Sequence, residues 1–105
     1  MTKMNRSMLV LAATVCLASA PSFAQSGGEA TYKAKCAMCH GPAGVPSASM
    51  AKAMGIKPVS DPAIRKLTAA EMFTAVKSGK GKMKPITGLS DAQIKDAVAF
   101  YRGLK

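Results

Sequence analysis

Several features are scarce in this sequence, and each scarcity excludes a class of site or protein. His40 is the only histidine, so no site within one molecule can use two imidazoles. The longest apolar run, residues 8–20, covers 13 residues, whereas a helix needs about 20 to cross a bilayer. No internal repeat or low-complexity tract is visible. The sequence therefore predicts one small domain that does not span a membrane once processed.

The N-terminal segment has the pattern of a secretory signal peptide. A short basic start precedes the apolar run, and Ser22 and Ala24 supply the small residues of a cleavage site. We expect cleavage after Ala24, so that residues 1–24 form a signal peptide and residues 25–105 form the mature domain. Export favours the periplasm as the location, with the thylakoid lumen as the weaker alternative.

Charge and cysteine content limit which partners the mature domain can bind and what can stabilise it. Removal of Lys3 and Arg6 leaves 13 of the 15 basic residues against 5 acidic ones, a net charge of +8. This excess favours partner proteins with acidic surfaces, and export argues against nucleic acid. Cys16 leaves with the signal peptide; Val15 disfavours the alternative in which Cys16 carries a lipid. A chain of this size often needs a cofactor, a metal or a disulfide for stability.

Capping boxes mark three helix starts, because Ser or Thr followed three residues later by Glu or Gln satisfies two backbone donors. The pairs are Ser26 with Glu29, Thr68 with Glu71, and Ser90 with Gln93. The helices are expected from about residue 27 into 36, from 69 to 78 and from 91 to 103. Residues 40–68 are rich in proline and glycine and allow only a short helical turn over 47–54. The predicted fold is all-α, with three main helices and an irregular loop.

The apolar residues of the three predicted helices define faces that should be buried. In the last helix the spacing is that of one helical face. The expected packing residues are Ala30, Tyr32 and Ala34 in the first helix, Met72, Phe73 and Val76 in the second, and Ile94, Ala97, Val98 and Tyr101 in the third.

Cys36-Ala37-Met38-Cys39-His40 is the Cys-x-x-Cys-His signature of c-type haem attachment. Both thiols can bond to the vinyl groups along one haem edge, and the adjacent imidazole can reach the iron from the same side. The motif predicts one covalent haem c, attached through Cys36 and Cys39, with His40 as an iron ligand. A thiol redox centre would need a strand-to-helix context, and a zinc site would need a fourth ligand. A plain disulfide would leave His40 and the proline-rich loop unexplained.

The second axial position could be held by methionine, lysine, another donor or nothing. Met83 is the candidate, because it is the one apolar side chain in the basic loop Lys80-Gly-Lys-Met83-Lys-Pro85; a loop plug is the alternative. Thioether and imidazole together would raise the reduction potential and fill both axial sites, which suits electron transfer. The other methionines are expected to be packing or lining residues rather than iron ligands. Met38 and Met72 are predicted to pack, and Met50 and Met54 to line a wall.

The sequence resembles class I cytochrome c, in particular the small one-haem bacterial and photosynthetic members, over residues 26–105. The resemblance rests on the haem motif, on Tyr32 four residues before it, on the Gly-Lys-Gly-Lys-Met run ending at Met83, and on Leu89-Ser-Asp with the final helix. It implies a compact fold of three main helices around the haem, with Met83 as the distal ligand.

The resemblance also implies two finer contacts. The first and last helices should cross with Tyr32 near Tyr101, and the small residues Ala30 and Ala97 would allow a close approach. His40 should hydrogen-bond a carbonyl of the proline loop, for which Pro46 is the candidate. Lys84, between Met83 and Pro85, departs from the commoner Met-Pro pair.

These features predict a soluble, monomeric one-electron carrier rather than an enzyme, shuttling electrons between exported redox partners. Lys77, Lys80, Lys82 and Lys84 surround the candidate ligand loop and form either a docking patch for an acidic partner or an ordinary solvated face. Two alternatives stay open. One is a haem-bearing subunit docked on an oxidoreductase, and the other is a haem sensor or peroxidase with a labile sixth ligand.

Overall fold

The structure, a computed structural model, describes residues 23–105, with side chains from residue 27 onward. Helices fill most of this part of the chain and no strand occurs in it beyond an isolated antiparallel bridge between Lys80 and Met83. The predicted all-α architecture is confirmed. In order, the helices are α1 (Phe23–Lys35), α2 (Ala37–His40), α3 (Ala48–Met54), α4 (Pro62–Arg65), α5 (Ala69–Ser78) and α6 (Asp91–Gly103).

Helices α5 and α6 begin and end where capping chemistry predicts. The Thr68 hydroxyl accepts from the Glu71 amide at 3.1 Å, and the Glu71 carboxylate accepts from the Thr68 amide at 3.1 Å. Ser90 and Gln93 make the same reciprocal pair, at 3.1 and 2.9 Å. Each box satisfies two backbone donors that a helix start otherwise leaves without partners.

The start of α1 differs from the prediction. The helix begins at Phe23, so Ser26 lies inside it rather than at its N-cap. Glu29 pairs instead with Lys33, one turn further on, at 2.7 Å. The predicted signal peptide covers residues 1–24. Residues 1–22 lie outside the part of the chain that the structure describes, so the signal peptide stays a prediction. Within the described part, no helix is long and apolar enough to cross a membrane.

Helices α1 and α6 pack against each other through a glycine. A Cβ atom on Gly28 would lie 2.2 Å from the Asp96 carbonyl oxygen and 3.4 Å from the Ala97 nitrogen. Ala30 and Ala34 are exposed, so the prediction that they pack is wrong. The helices cross, as expected, but Gly28 with Ala97 makes the close approach possible.

The hydrophobic core lies between α5 and α6, on the faces that their spacing predicts. Met72, Ile94 and Val98 are its buried centre. Residues packed around it are Ile64, Leu67, Phe73, Val76, Leu89 and Tyr101. Tyr32 and Val59, each 1% exposed, are buried outside this cluster. Helices α2 and α3 contain no buried residue. The protein core is thus small, as expected for a domain that relies on a cofactor.

The proline-rich connection contains two short helices. The predicted turn is α3, capped by the Ser47 hydroxyl, which accepts from the Met50 amide. Helix α4 was not predicted, although Asp61 before Pro62 is a typical start, with a side-chain cap and proline at the first helical position. The Arg65 guanidinium then donates to the carbonyls of Arg102 at 3.3 Å and Leu104 at 2.8 Å, tying α4 to the end of α6.

Candidate haem centre

The junction of α1 and α2 brings the three residues of the attachment motif together. The Cys39 and His40 amides donate to the Cys36 carbonyl at 3.2 and 3.0 Å, so these residues form one continuous turn. Residues three and four apart lie on the same side of such a turn. Both thiols are free and half-buried, and burial raises the pKa of the Cys36 thiol. The predicted donors therefore occupy one side of one short helix.

The same geometry explains why one prediction is wrong. Met38 was expected to pack, but it is 86% exposed. A residue two positions after Cys36 points to roughly the opposite side of the turn from Cys36, Cys39 and His40. Because the motif residues share the inner side, Met38 faces the surface.

The His40 imidazole is partly buried and lies beside an aromatic ring. Burial lowers the pKa of its imidazole, which favours the neutral form that binds a metal. Its ring centroid lies 5.5 Å from that of Tyr101, at an interplanar angle of 59°. Its Nδ1 atom is buried and has no hydrogen-bond partner among the described residues. The expected bond from His40 to the Pro46 carbonyl is therefore absent from the structure.

The chain leaves His40 through a tight turn that requires glycine. Gly41 has φ of 81°, and a Cβ there would lie 1.9 Å from the Val45 carbonyl oxygen. The Tyr32 hydroxyl donates to the Gly41 carbonyl at 2.6 Å, and burial raises the pKa of Tyr32, keeping its proton in place. Sequence reasoning placed Tyr32 near Tyr101, and the two rings do stack at 5.8 Å. The hydrogen bond to Gly41 was not anticipated.

Met83 lies in a short, well-defined loop after α5. Backbone hydrogen bonds of 2.9 Å join Lys80 and Met83 in both directions, and the Ile86 amide donates to the Val76 carbonyl at 2.9 Å. Gly79 permits this fold, because a Cβ on it would lie 2.8 Å from both the Met83 carbonyl and the Pro85 ring. The Met83 side chain is half-buried. Lys84 is accommodated on the exposed side of the loop.

The lysines around Met83 do not behave alike. Lys77 pairs with Asp91 at 2.8 Å. The Lys82 ammonium donates to the Ala53 carbonyl at 3.2 Å, which holds the loop against the end of α3. Lys80 and Lys84 are exposed. The loop therefore carries both structural lysines and lysines that remain available to a partner.

The residues present fit a covalent haem c. The motif supplies two thiols and one imidazole from the same turn, and the His40 ring, whose buried Nδ1 has no hydrogen-bond partner among the described residues, lies beside the Tyr101 ring. Helices α2 and α3 contain no buried residue. Met72 packs with Ile94 and Val98 in the protein core, as predicted. Met50 and Met54 are half-buried on α3, consistent with the predicted wall.

Comparisons with known proteins agree with this chemistry. The family model described as subunit III of cbb3-type cytochrome c oxidase matches residues 23–100. In a solved structure, the KustC0563 c-type cytochrome is similar with a TM-score of 0.66 and 25% identity, covering 74% of this chain and 96% of that one. A tyrosine-to-phenylalanine variant of that cytochrome has a TM-score of 0.65 and 23% identity, covering 75% and 99%. No curated protein sequence matches.

The match to the family model covers most of the chain, including every motif residue and Met83. The solved structures share the helical fold, and both are c-type cytochromes. The chain therefore belongs to the family of cytochrome c domains found as subunit III of cbb3-type oxidases, whose chemistry is electron transfer through haem.

Proposed function

We propose that the mature protein is an exported one-electron carrier with a single covalent haem c. Cys36 and Cys39 hold the haem through thioether bonds, and His40 and Met83 occupy the two axial positions. The observation that carries this proposal is the motif turn, which places both thiols and the imidazole on one side of α2. The bound group supplies a reversible ferric–ferrous couple.

The chain's own residues then account for a carrier rather than an enzyme. His40 is held in a buried, aromatic surrounding, and the hydrogen-bonded loop of residues 80–83 presents Met83. If His40 and Met83 both held the iron, no position would be left for a substrate, and the haem would supply one-electron transfer. We propose that the protein works as a periplasmic monomer between redox partners with acidic docking surfaces.

Carbon monoxide tests whether both axial positions are held. We expect the ferrous spectrum of the exported holoprotein to be unchanged on addition of carbon monoxide, because His40 and Met83 leave no vacant coordination site. The protein should be made in a host with haem-attachment machinery and measured at neutral pH. A rapid spectral shift would contradict this prediction and would favour the sensor or peroxidase alternative.

Electrostatics at the Met83 loop provide a second test. With hexacyanoferrate(III) as an anionic oxidant, the oxidation rate should fall as salt is added, since the screening length is about 10 Å at 0.1 M. Lys84→Glu should slow the reaction at least about twofold at low salt, because it replaces a positive charge beside Met83 with a negative one. Lys66→Glu makes the same charge change between α4 and α5 and serves as the control. Equal slowing by both variants, or an oxidation rate independent of salt, would show that the lysines around Met83 do not form a docking patch.

A second candidate function is that of a haem-bearing oxidoreductase subunit. The matching family model is itself described as an oxidase subunit. In addition, an open cleft on the α5–α6 face has a largely apolar lining formed by Ala69, Ala70, Phe73, Thr74, Lys95 and Val98. A stable partner could cover such a surface. Recovery of the exported protein as a monomer at physiological salt would favour the carrier.

A further inference from the structure

Tyr32 links helix α1 to the residue that follows the proximal ligand. Its side chain is 1% exposed, and its hydroxyl donates to the Gly41 carbonyl at 2.6 Å, a short distance for a bond of this type. The Gly44 amide donates to the same carbonyl at 3.2 Å. The carbonyl of Gly41, the residue after His40, is therefore held from two sides.

Tyr101 contacts the ligand ring itself. It projects from α6, stacks on Tyr32 with an interplanar angle of 20°, and lies 5.5 Å from the His40 ring. Phe100 also packs against the Tyr32 ring, with centroids 5.2 Å apart. Two tyrosines from crossing helices thus reach the ligand turn, one through the carbonyl of the next residue, Gly41, and one beside the His40 imidazole.

Within the described residues, no hydrogen bond orients the His40 imidazole. The Nδ1 atom of His40 has no partner among the described residues. A hydrogen bond from that atom is the usual means by which proteins orient a ligating histidine. Here the ring contact with Tyr101 and the anchored Gly41 peptide are the constraints that the structure does show.

We propose that Tyr32 and Tyr101 are positioning residues that together set the plane of the His40 imidazole relative to the haem. The Tyr32 hydroxyl fixes the backbone of the ligand turn, and the Tyr101 ring limits rotation of the imidazole. This inference rests on the proposed ligation of iron by His40. It assigns the orienting role to an aromatic pair rather than to a carbonyl of the proline loop.

The ligand plane can be observed without measuring electron transfer. In a ferric haem the pattern of the four haem-methyl proton resonances depends on the orientation of the axial ligands, because their orbitals direct unpaired spin onto particular pyrrole rings. A structural role in folding alone would lower stability and leave this pattern in place.

The experiment compares two variants that each lose one hydroxyl. Tyr32→Phe removes the bond to Gly41 and should change the spread or order of the haem-methyl resonances in the ferric holoprotein. Tyr101→Phe keeps the ring beside His40, and the Tyr101 hydroxyl has no hydrogen bond in the described structure, so the pattern should be retained. Tyr101→Leu removes the aromatic ring and should change the pattern even though the Tyr32 hydroxyl remains.

The outcomes separate the possibilities. A wild-type pattern in Tyr32→Phe, or identical changes in Tyr32→Phe and Tyr101→Phe, would overturn the proposal. If Tyr32→Phe does not fold, Tyr101→Leu decides, and an unchanged pattern in it would overturn the proposal. Failure of the proposed function is detected separately, because wild-type protein would then lack the thioether-linked haem or the spectrum of histidine ligation.

Discussion

Replacement of Met83 by alanine is expected to lower the reduction potential sharply while leaving the haem attached. A thioether sulfur stabilises ferrous iron, so its loss favours the ferric state. The shift should be a sizeable fraction of the roughly 0.8 V range that axial ligands span in haem proteins. Attachment should persist, because the bonds through Cys36 and Cys39 do not depend on the sixth ligand. Potentiometric titration and mass spectrometry of the purified variant measure the two effects.

Two further variants make the Met83 result specific. Met83→Leu removes the sulfur while nearly conserving side-chain volume and should lower the potential in the same direction. Met50→Leu makes the same chemical change at a half-buried methionine of α3 and should leave the potential close to that of the wild type. An unchanged potential in Met83→Ala would show that the ligand assignment is wrong. A large shift in the reduction potential of Met50→Leu would indicate that Met50, on α3, is the sixth ligand instead.

Replacement of Gly28 by alanine should destabilise the holoprotein strongly. The new methyl carbon would lie 2.2 Å from the backbone oxygen of Asp96, well inside contact distance, so α1 and α6 would have to separate. Overpacking of this kind typically lowers the free energy of unfolding by about 1–3 kcal/mol. Because the new methyl group would meet the backbone of α6 rather than a movable side chain, Gly28→Ala should fall in the upper part of that range or above it. Unfolding of the ferric holoprotein in guanidinium chloride measures the change.

The adjacent glycine provides a matched control. Gly27 lies in the same helix, and a Cβ there would meet nothing within 4 Å. Gly27→Ala should therefore leave stability unchanged or raise it by up to about 0.5–1 kcal/mol, since alanine favours helix and Gly27 lies near the start of the mature chain. If both variants change stability equally, the close approach of α1 and α6 at Gly28 is not required for the fold.

The parts of this fold that could be predicted are those governed by near neighbours in the chain. The capping boxes at Thr68 and Ser90 predicted α5 and α6 with their observed bounds, because a cap involves residues only three positions apart. Helix α4 follows the same kind of rule, through Asp61 and Pro62, and could have been predicted from it. The exposure of Met38 also follows from helical geometry within one turn.

The contacts that could not be predicted join residues distant in the chain. Gly28 rather than Ala30 makes the helix crossing, because the contact depends on where Asp96 approaches, and periodicity in α1 alone does not specify that position. The same holds for the bond from the Lys82 ammonium to the Ala53 carbonyl. Such contacts are set by the relative placement of whole helices.

The sequence by itself determined the donor set of the site: the spacing of Cys36, Cys39 and His40 places two thiols and an imidazole in one turn. Only the tertiary structure decided what surrounds that turn. It placed the Tyr32 hydroxyl on the Gly41 carbonyl and the Tyr101 ring beside His40. The reason is physical, since thiol and imidazole reactivity belong to the residues themselves, whereas the environment of the imidazole exists only once α1 and α6 have crossed.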